Sequence, residues 1–226
     1  MGTFARLGDK LRSLLRADSV LFRSGETAEE LILARHGPVE IRQTLAGWSL
    51  ETCVTGAPER ARVIALRRLG RYVNGENRGK AQLRVMRPLV QAEEAAGRWR
   101  LRVALPGVER AFVAAAGRNG EVRLRALDSE TLAVIRVLGR PTPLAVRHAE
   151  TAIRCAITPT RWTPTGNAML RLHAPPVVPP FLGRFEVAVP VVEQTHGSSA
   201  TDWMNRVTFD RPAARKVATS ASPLLR

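Results

Sequence analysis

One order of patterns, written twice along the chain, constrains it more than any other feature. Residues 31–35 read as a strand, and 39–42 and 47–54 alternate apolar and polar side chains as half-buried strands do. Pro58 then suits the first turn of a helix, and Ala61, Ile64, Ala65, Leu69, Tyr72 and Val73 give it one apolar stripe. Asn74-Gly75 ends that helix, because glycine accepts the left-handed backbone of a helix stop. Strand patterns follow at 81–91 and 99–105, with Glu93-Glu94 expected in a solvated turn. The second half repeats the order. Residues 122–126 and 131–138 read as strands, Pro143 opens a helix through Val146, Ala149, Ile153 and Ala156, and 167–172 and 185–192 close as strands. No polar linker separates the halves, so they form one pseudo-symmetric α+β domain.

That domain is expected over residues 29–193. Residues 1–28 form an extension in which Phe4, Leu7, Leu11, Leu14 and Leu15 recur at helical spacing. A short helix docked on the domain is the expectation there, and peripheral contact with a membrane surface is the alternative. Residues 194–226 have the composition of a flexible tail, interrupted by Trp203 and Phe209. No apolar run reaches the ~18 residues of a membrane span. Arg6, Lys10, Arg12, Arg16 and Asp18 break up any signal-peptide core, so a cytoplasmic location is expected.

The formal charge is +15, and all but three of the 35 basic residues are arginine. The arginines are spread through nearly every segment rather than gathered on a recognition motif. That argues against nucleic acid and leaves acidic small molecules as partners, since the guanidinium fork matches carboxylates. Cys53 and Cys155 give no disulfide framework or metal spacing and are expected as buried thiols. Nucleotide fingerprints, zinc clusters and the nucleophile elbow are absent. The chain is therefore read as a binding protein and not an enzyme.

Two segments carry a resemblance. Tyr72, Val73, Gly75, Asn77, Arg78, Gly79 and Lys80 lead into Met86 and Pro88; Pro176, Phe181, Arg184, Glu186 and Val187 lie in the proline-rich run and the strand after it. With Val39-Glu40-Ile41-Arg42, they resemble the SOUL haem-binding protein family, and the chain looks like a divergent member of it. The resemblance implies a distorted antiparallel β-barrel with two flanking helices. It also implies non-covalent binding of haem or a free porphyrin, in a carrier or buffer role. Some relatives ligate iron through a histidine directly after Glu-Ile-Arg; that position is Gln43 here. His173 and Ala174 replace the family's Tyr-Asp, and Arg87 replaces a threonine.

A porphyrin is a flat apolar plate with two carboxylates, so its site needs an apolar slot with cations at the rim. Leu66, Leu69 and Gly70 on the first helix are the candidate slot, Arg71 the first propionate partner, and Arg67 and Arg184 further ones. Phe181 and the prolines are the candidate opposite wall. His173 is the candidate iron ligand. The SOUL barrel also resembles bacterial effector-binding domains for hydrophobic cations, which want a buried acid; Glu186 is the candidate.

Overall fold

The computed structural model describes residues 21–22, 26–106, 120–174 and 183–194. Ten antiparallel strands are joined in one sheet: β1 (Glu30–His36), β2 (Val39–Thr44), β3 (Gly47–Thr55), β4 (Met86–Ala95), β5 (Arg98–Leu105), β6 (Arg123–Leu127), β7 (Thr131–Leu138), β8 (Trp162–Pro164), β9 (Met169–Leu172) and β10 (Arg184–Glu193). Their lateral order is β1-β2-β7-β10-β9-β4-β5-β3-β6, with short β8 pairing separately to β10. The nine-strand path curls into a half-barrel, and helices α1 (Pro58–Val73) and α2 (Pro143–Ile157) make the fold α+β.

The two repeats are interleaved. The β1–β2 hairpin of the first half pairs with β7 of the second, and β6 of the second pairs with β3 of the first. At the middle, β4 pairs with β9. Neither half holds a closed set of backbone partners by itself, which is why no linker was needed between them.

Alternation along β10 shows how the sheet divides its faces. Phe185, Val187, Val189 and Val191 join the main core beneath the helices. Ala188 joins Leu132, Val134 and Met169 in a small cluster of its own. The main core takes Ala61, Ala65, Leu66, Leu69, Tyr72 and Val73 from α1, and Ala149, Ile153 and Ile157 from α2. The opposite, inner face of the curl carries the polar chemistry.

Each helix starts on a proline, as its sequence requires. Thr142 caps α2, its Oγ1 accepting the Ala145 N–H at 3.2 Å. After α1, Gly75 turns the chain at φ +105°. Asn77 then pins the turn. Its Nδ2 donates to the carbonyls of Tyr72 (2.8 Å) and Ala81 (2.6 Å), and its Oδ1 accepts the Ala81 N–H at 3.1 Å.

Three expectations are corrected. Glu93 and Glu94 extend β4 rather than forming its turn, which falls on Ala96-Gly97, with Gly97 at φ +68°. Cys155 is exposed and Cys53 half-buried. Ile153 and Ile157 mark the buried stripe of α2, and Cys155, midway between them, turns about 200° away from either. Strand β8 had no signal, being only three residues long. Leu21 packs into the core, and Glu26 and Ala28 bond through their backbones to Arg87. The rest of the N-terminal helix pattern, the proline run with Phe181, and the tail lie outside the described residues. No helix among the described residues is long and apolar enough to cross a membrane.

Candidate ligand-binding cavity

At the β2–β7–β10–β9 end of the inner face, a carboxylate is buried among cations. Glu186 on β10 is 3% exposed. Its Oε1 accepts from Arg42 Nη1 on β2 (3.1 Å) and from Arg136 Nε on β7 (3.2 Å). Its Oε2 lies 2.9 Å from His173 Nε2 and 3.3 Å from Arg171 Nη1. Burial by itself would push this carboxyl up. The His173 hydrogen bond and the charges of Arg171, His173 and Arg42 outweigh it and hold the group far below the usual carboxylate range. Glu30 on β1 closes the ring, accepting from Arg42 Nη1 at 3.2 Å and from Arg171 Nη2. Arg42 also bonds Glu40. A tight ring forms because β10 places Glu186 beside β7 and β9, while β2 and β1 bring Arg42 and Glu30 from the other repeat.

Next to this ring the inner face opens into a cavity of about 590 Å³. That is within the range of roughly 300–1,000 Å³ typical of small-molecule sites. Its wall is mainly apolar: Met86, Pro88 and Val90 from β4, Ala104 from β5, Leu132 from β7 and Met169 from β9. Leu45 and Trp48, 51% and 38% exposed, stand at the mouth. Glu26, Glu29, Glu30, Asp128 and Glu130 also line it, against two arginines, Arg102 and Arg171. Both arginines are already matched, Arg102 to Glu130 at 3.0 Å and Arg171 to Glu30. Glu26 has Arg84 at 3.5 Å. Glu29 and Asp128, both exposed, have no ion-pair partner among the described residues. The cavity is therefore an acidic place in a basic protein.

The residues singled out by sequence lie elsewhere. Leu66 and Leu69, 1% and 0% exposed, face the sheet in the main core, and Gly70 is buried beside them. Arg71 is on the outer surface of α1 and pairs with Glu76 at 3.2 Å. Arg67 is half-buried on the same helix, and Arg184 is exposed at the start of β10. His173 follows β9 and is held by Glu186. Gln43 donates to Ser129 at 3.2 Å. Phe181 is outside the described residues. None of the described ones lines the cavity. Among its described lining residues, only Met86 and Pro88 belonged to the resemblance noticed in sequence; the rest carried no signal, because register across eight strands brings them together. No group of three or more histidine, cysteine or acidic residues suited to a metal ion occurs among the described residues.

Comparison with known proteins follows from this geometry. The model of the SOUL heme-binding protein family matches residues 26–190. No curated protein matches the chain. The crystal structure of the EcmrR C-terminal domain is 10% identical, with a TM-score of 0.53 over 69% of this chain and 97% of that one. EcmrR in its DNA complex gives the same score and identity, but this chain covers only 57% of that longer chain. An uncharacterized conserved protein from Listeria innocua is 13% identical, with a TM-score of 0.48 over 74% of this chain and 93% of that one. At such identities the likeness is one of fold.

Proposed function

Because the chain belongs to the SOUL heme-binding protein family, we propose that it binds one small, largely apolar ligand without catalysis, as a carrier or buffer, and that the inner-face cavity is the site. The cavity carries this reading: about 590 Å³, with a mainly apolar wall on rigid strands. A tetrapyrrole, haem or free porphyrin, is the first ligand class to test, since the family binds haem.

The residues present fit a tetrapyrrole in part. Size and apolarity suit the ring. The polar ends do not. Among the described residues, no histidine or cysteine lines the cavity. Met86 and Met169 are its soft donors, and a thioether serves haem iron beside a histidine, which this wall lacks. Both lining arginines already face carboxylates. A tetrapyrrole held here is held by packing, with no histidine or cysteine ligand to its metal among the described residues. An alternative placement, over α1 with Arg67, Arg71 and Arg184 as propionate partners and Leu66, Leu69, Gly70 and Phe181 as walls, requires Leu66 and Leu69 to leave the core.

The test is a titration of hemin, and in parallel of metal-free protoporphyrin, followed in the Soret band. The expected result is saturable one-to-one binding of both, weakened at least tenfold by Ala104→Trp, which fills the cavity. Binding that never saturates, or that Ala104→Trp leaves unchanged, overturns the cavity as the tetrapyrrole site. Binding of hemin alone, lost in His173→Ala, assigns iron to His173 instead.

A further inference from the structure

Strand β1 ends the sheet, with β2 as its one neighbour. The outer side of its backbone has no partner strand among the described residues. Leu31, Ile32 and Leu33 follow one another along it, each between 44% and 58% exposed. An open edge of this kind is a template for another strand, and proteins commonly blunt it with charge. The opposite end of the sheet does so, since β6 carries exposed Arg123 and Arg125. Strand β1 instead keeps its charges at its two ends. Glu29 and Glu30 stand at the start and Arg35 at the finish, around an apolar middle.

A bulge gives this strand a symmetric pattern. Leu33 is the extra residue between Ile32, opposite Arg42, and Ala34, opposite Ile41. Glu30, Ile32 and Arg35 share the inner face with their partners Thr44, Arg42 and Glu40, while Leu31 and Ala34 share the helix face with Gln43 and Ile41. In a bulge two residues oppose one, so Leu33 stands with Ile32 opposite Arg42. From Glu30 to Arg35 the faces therefore run inner, helix, inner, inner, helix, inner. That order is the same read from either end.

We propose that β1 docks on β1 of a second copy of this chain, antiparallel, about a two-fold axis between Ile32 and Leu33. Each Ile32 meets the partner's Leu33, each Leu31 the partner's Ala34, and each Glu30 the partner's Arg35. Every pair then falls on one face, as cross-strand pairs must. The acidic start of one strand lies along the basic finish of the other, whereas a parallel pairing would set Glu30 beside Glu30. Arg35 uses its Nε on Glu40, at 3.3 Å, which leaves its Nη groups for the partner's acids. Glu29, exposed and without an ion-pair partner among the described residues, comes to the same end. A strand from another protein would find the same open backbone. The pattern of faces and charges complements itself, however, and that self-complementarity is the mark of a two-fold interface between identical chains. The assembly does not depend on what the cavity holds.

Sedimentation velocity of the full chain over a range of concentrations tests the edge. A reversible monomer–dimer equilibrium is expected, with dimer dominant by about 100 μM. Leu33→Lys, which sets two ammonium groups at the axis, and Arg35→Glu, which sets acid against acid, are each expected to weaken the dimer at least tenfold. Both side chains are exposed, so the urea midpoint of the dissociated chain is expected to stay unchanged. Cross-linking tests the register without either variant. In a Cys53→Ser, Cys155→Ser background, Leu31→Cys and Ala34→Cys chains are oxidised with copper phenanthroline, separately and mixed. The mixture is expected to form a disulfide-linked pair, because residues 31 and 34 lie opposite each other across the axis. Neither chain is expected to cross-link alone, since like positions stand about 10 Å apart. A chain that stays monomeric to about 1 mM, an assembly other than a dimer, a dimer that either variant leaves intact, a mixture that fails to cross-link, or cross-linking by one cysteine alone overturns the proposal.

Discussion

Glu186 is the residue whose surroundings say most about stability. Its carboxylate is buried against Arg42, Arg171, Arg136 and His173. Removing one partner of such a set leaves charge stranded away from water. Glu186→Gln is therefore expected to cost about 3–5 kcal/mol, read by urea unfolding at neutral pH. The acid limb follows from the same geometry. The folded carboxyl is depressed below its ordinary value of 4.5, so the unfolded chain takes up the proton first. The stabilisation is complete above about 4.5 and is lost as pH falls from there toward the folded value. Unfolding midpoints measured from pH 6 to pH 3 are expected to drop more steeply in the native protein than in Glu186→Gln. Sequence singled out Glu186 as a buried acid, and it is buried. Its partners were invisible there, because Arg42, Arg136 and Arg171 lie on strands, and His173 just after one, brought alongside only by sheet pairing. Arginines fill the place that a ligand cation was expected to take.

At the scale of elements, the pieces that could be read were those whose signal is local. Both helices begin on the prolines that marked them, and the alternating runs became strands within a few residues of their expected ends. The turn motif after α1 now has a physical content: Asn77 satisfies two carbonyls and one N–H that the helix end and the following chain leave open. Asn77→Ala is expected to cost roughly 2 kcal/mol in thermal or urea unfolding. Thr142→Ala, removing the cap of α2, is expected to cost about 1 kcal/mol by the same measurement. The failures were also local. Glu93 and Glu94 looked like a turn because charge was read as exposure, yet a strand end carries exposed charge easily. Cys155 was judged by its apolar neighbours rather than by its angle around the helix.

Across the whole molecule, the sheet separates the packed face that holds the fold from the open face proposed to hold a ligand. The face under the helices is packed, and the inner face is left open beside the Glu186 ring. The two faces answer differently to substitution. Leu69→Ala, in the main core, is expected to cost 2–5 kcal/mol of stability, measured by urea unfolding. Ala104→Trp, on the cavity wall, is expected to weaken tetrapyrrole binding at least tenfold while leaving the unfolding midpoint nearly unchanged. The cavity was not legible in the sequence for a topological reason. It draws on both repeats, through pairings such as β4 with β9 and β2 with β7, and a linear pattern does not announce such pairings.

An acidic mouth in a molecule of formal charge +15 has a kinetic consequence. Beyond roughly 8 Å at physiological ionic strength the surface field is screened; inside that distance the nearest charges decide. In dilute buffer an approaching anion is drawn to the arginine-rich exterior and turned away at the opening, so it lingers on many places outside. An approaching cation meets the reverse, a repulsive far field around an attractive entrance. Raising the salt weakens both fields but reaches the distant one first. Stopped-flow encounter rates for a cationic ligand are thus expected to climb with salt before they fall, while an anionic one only slows.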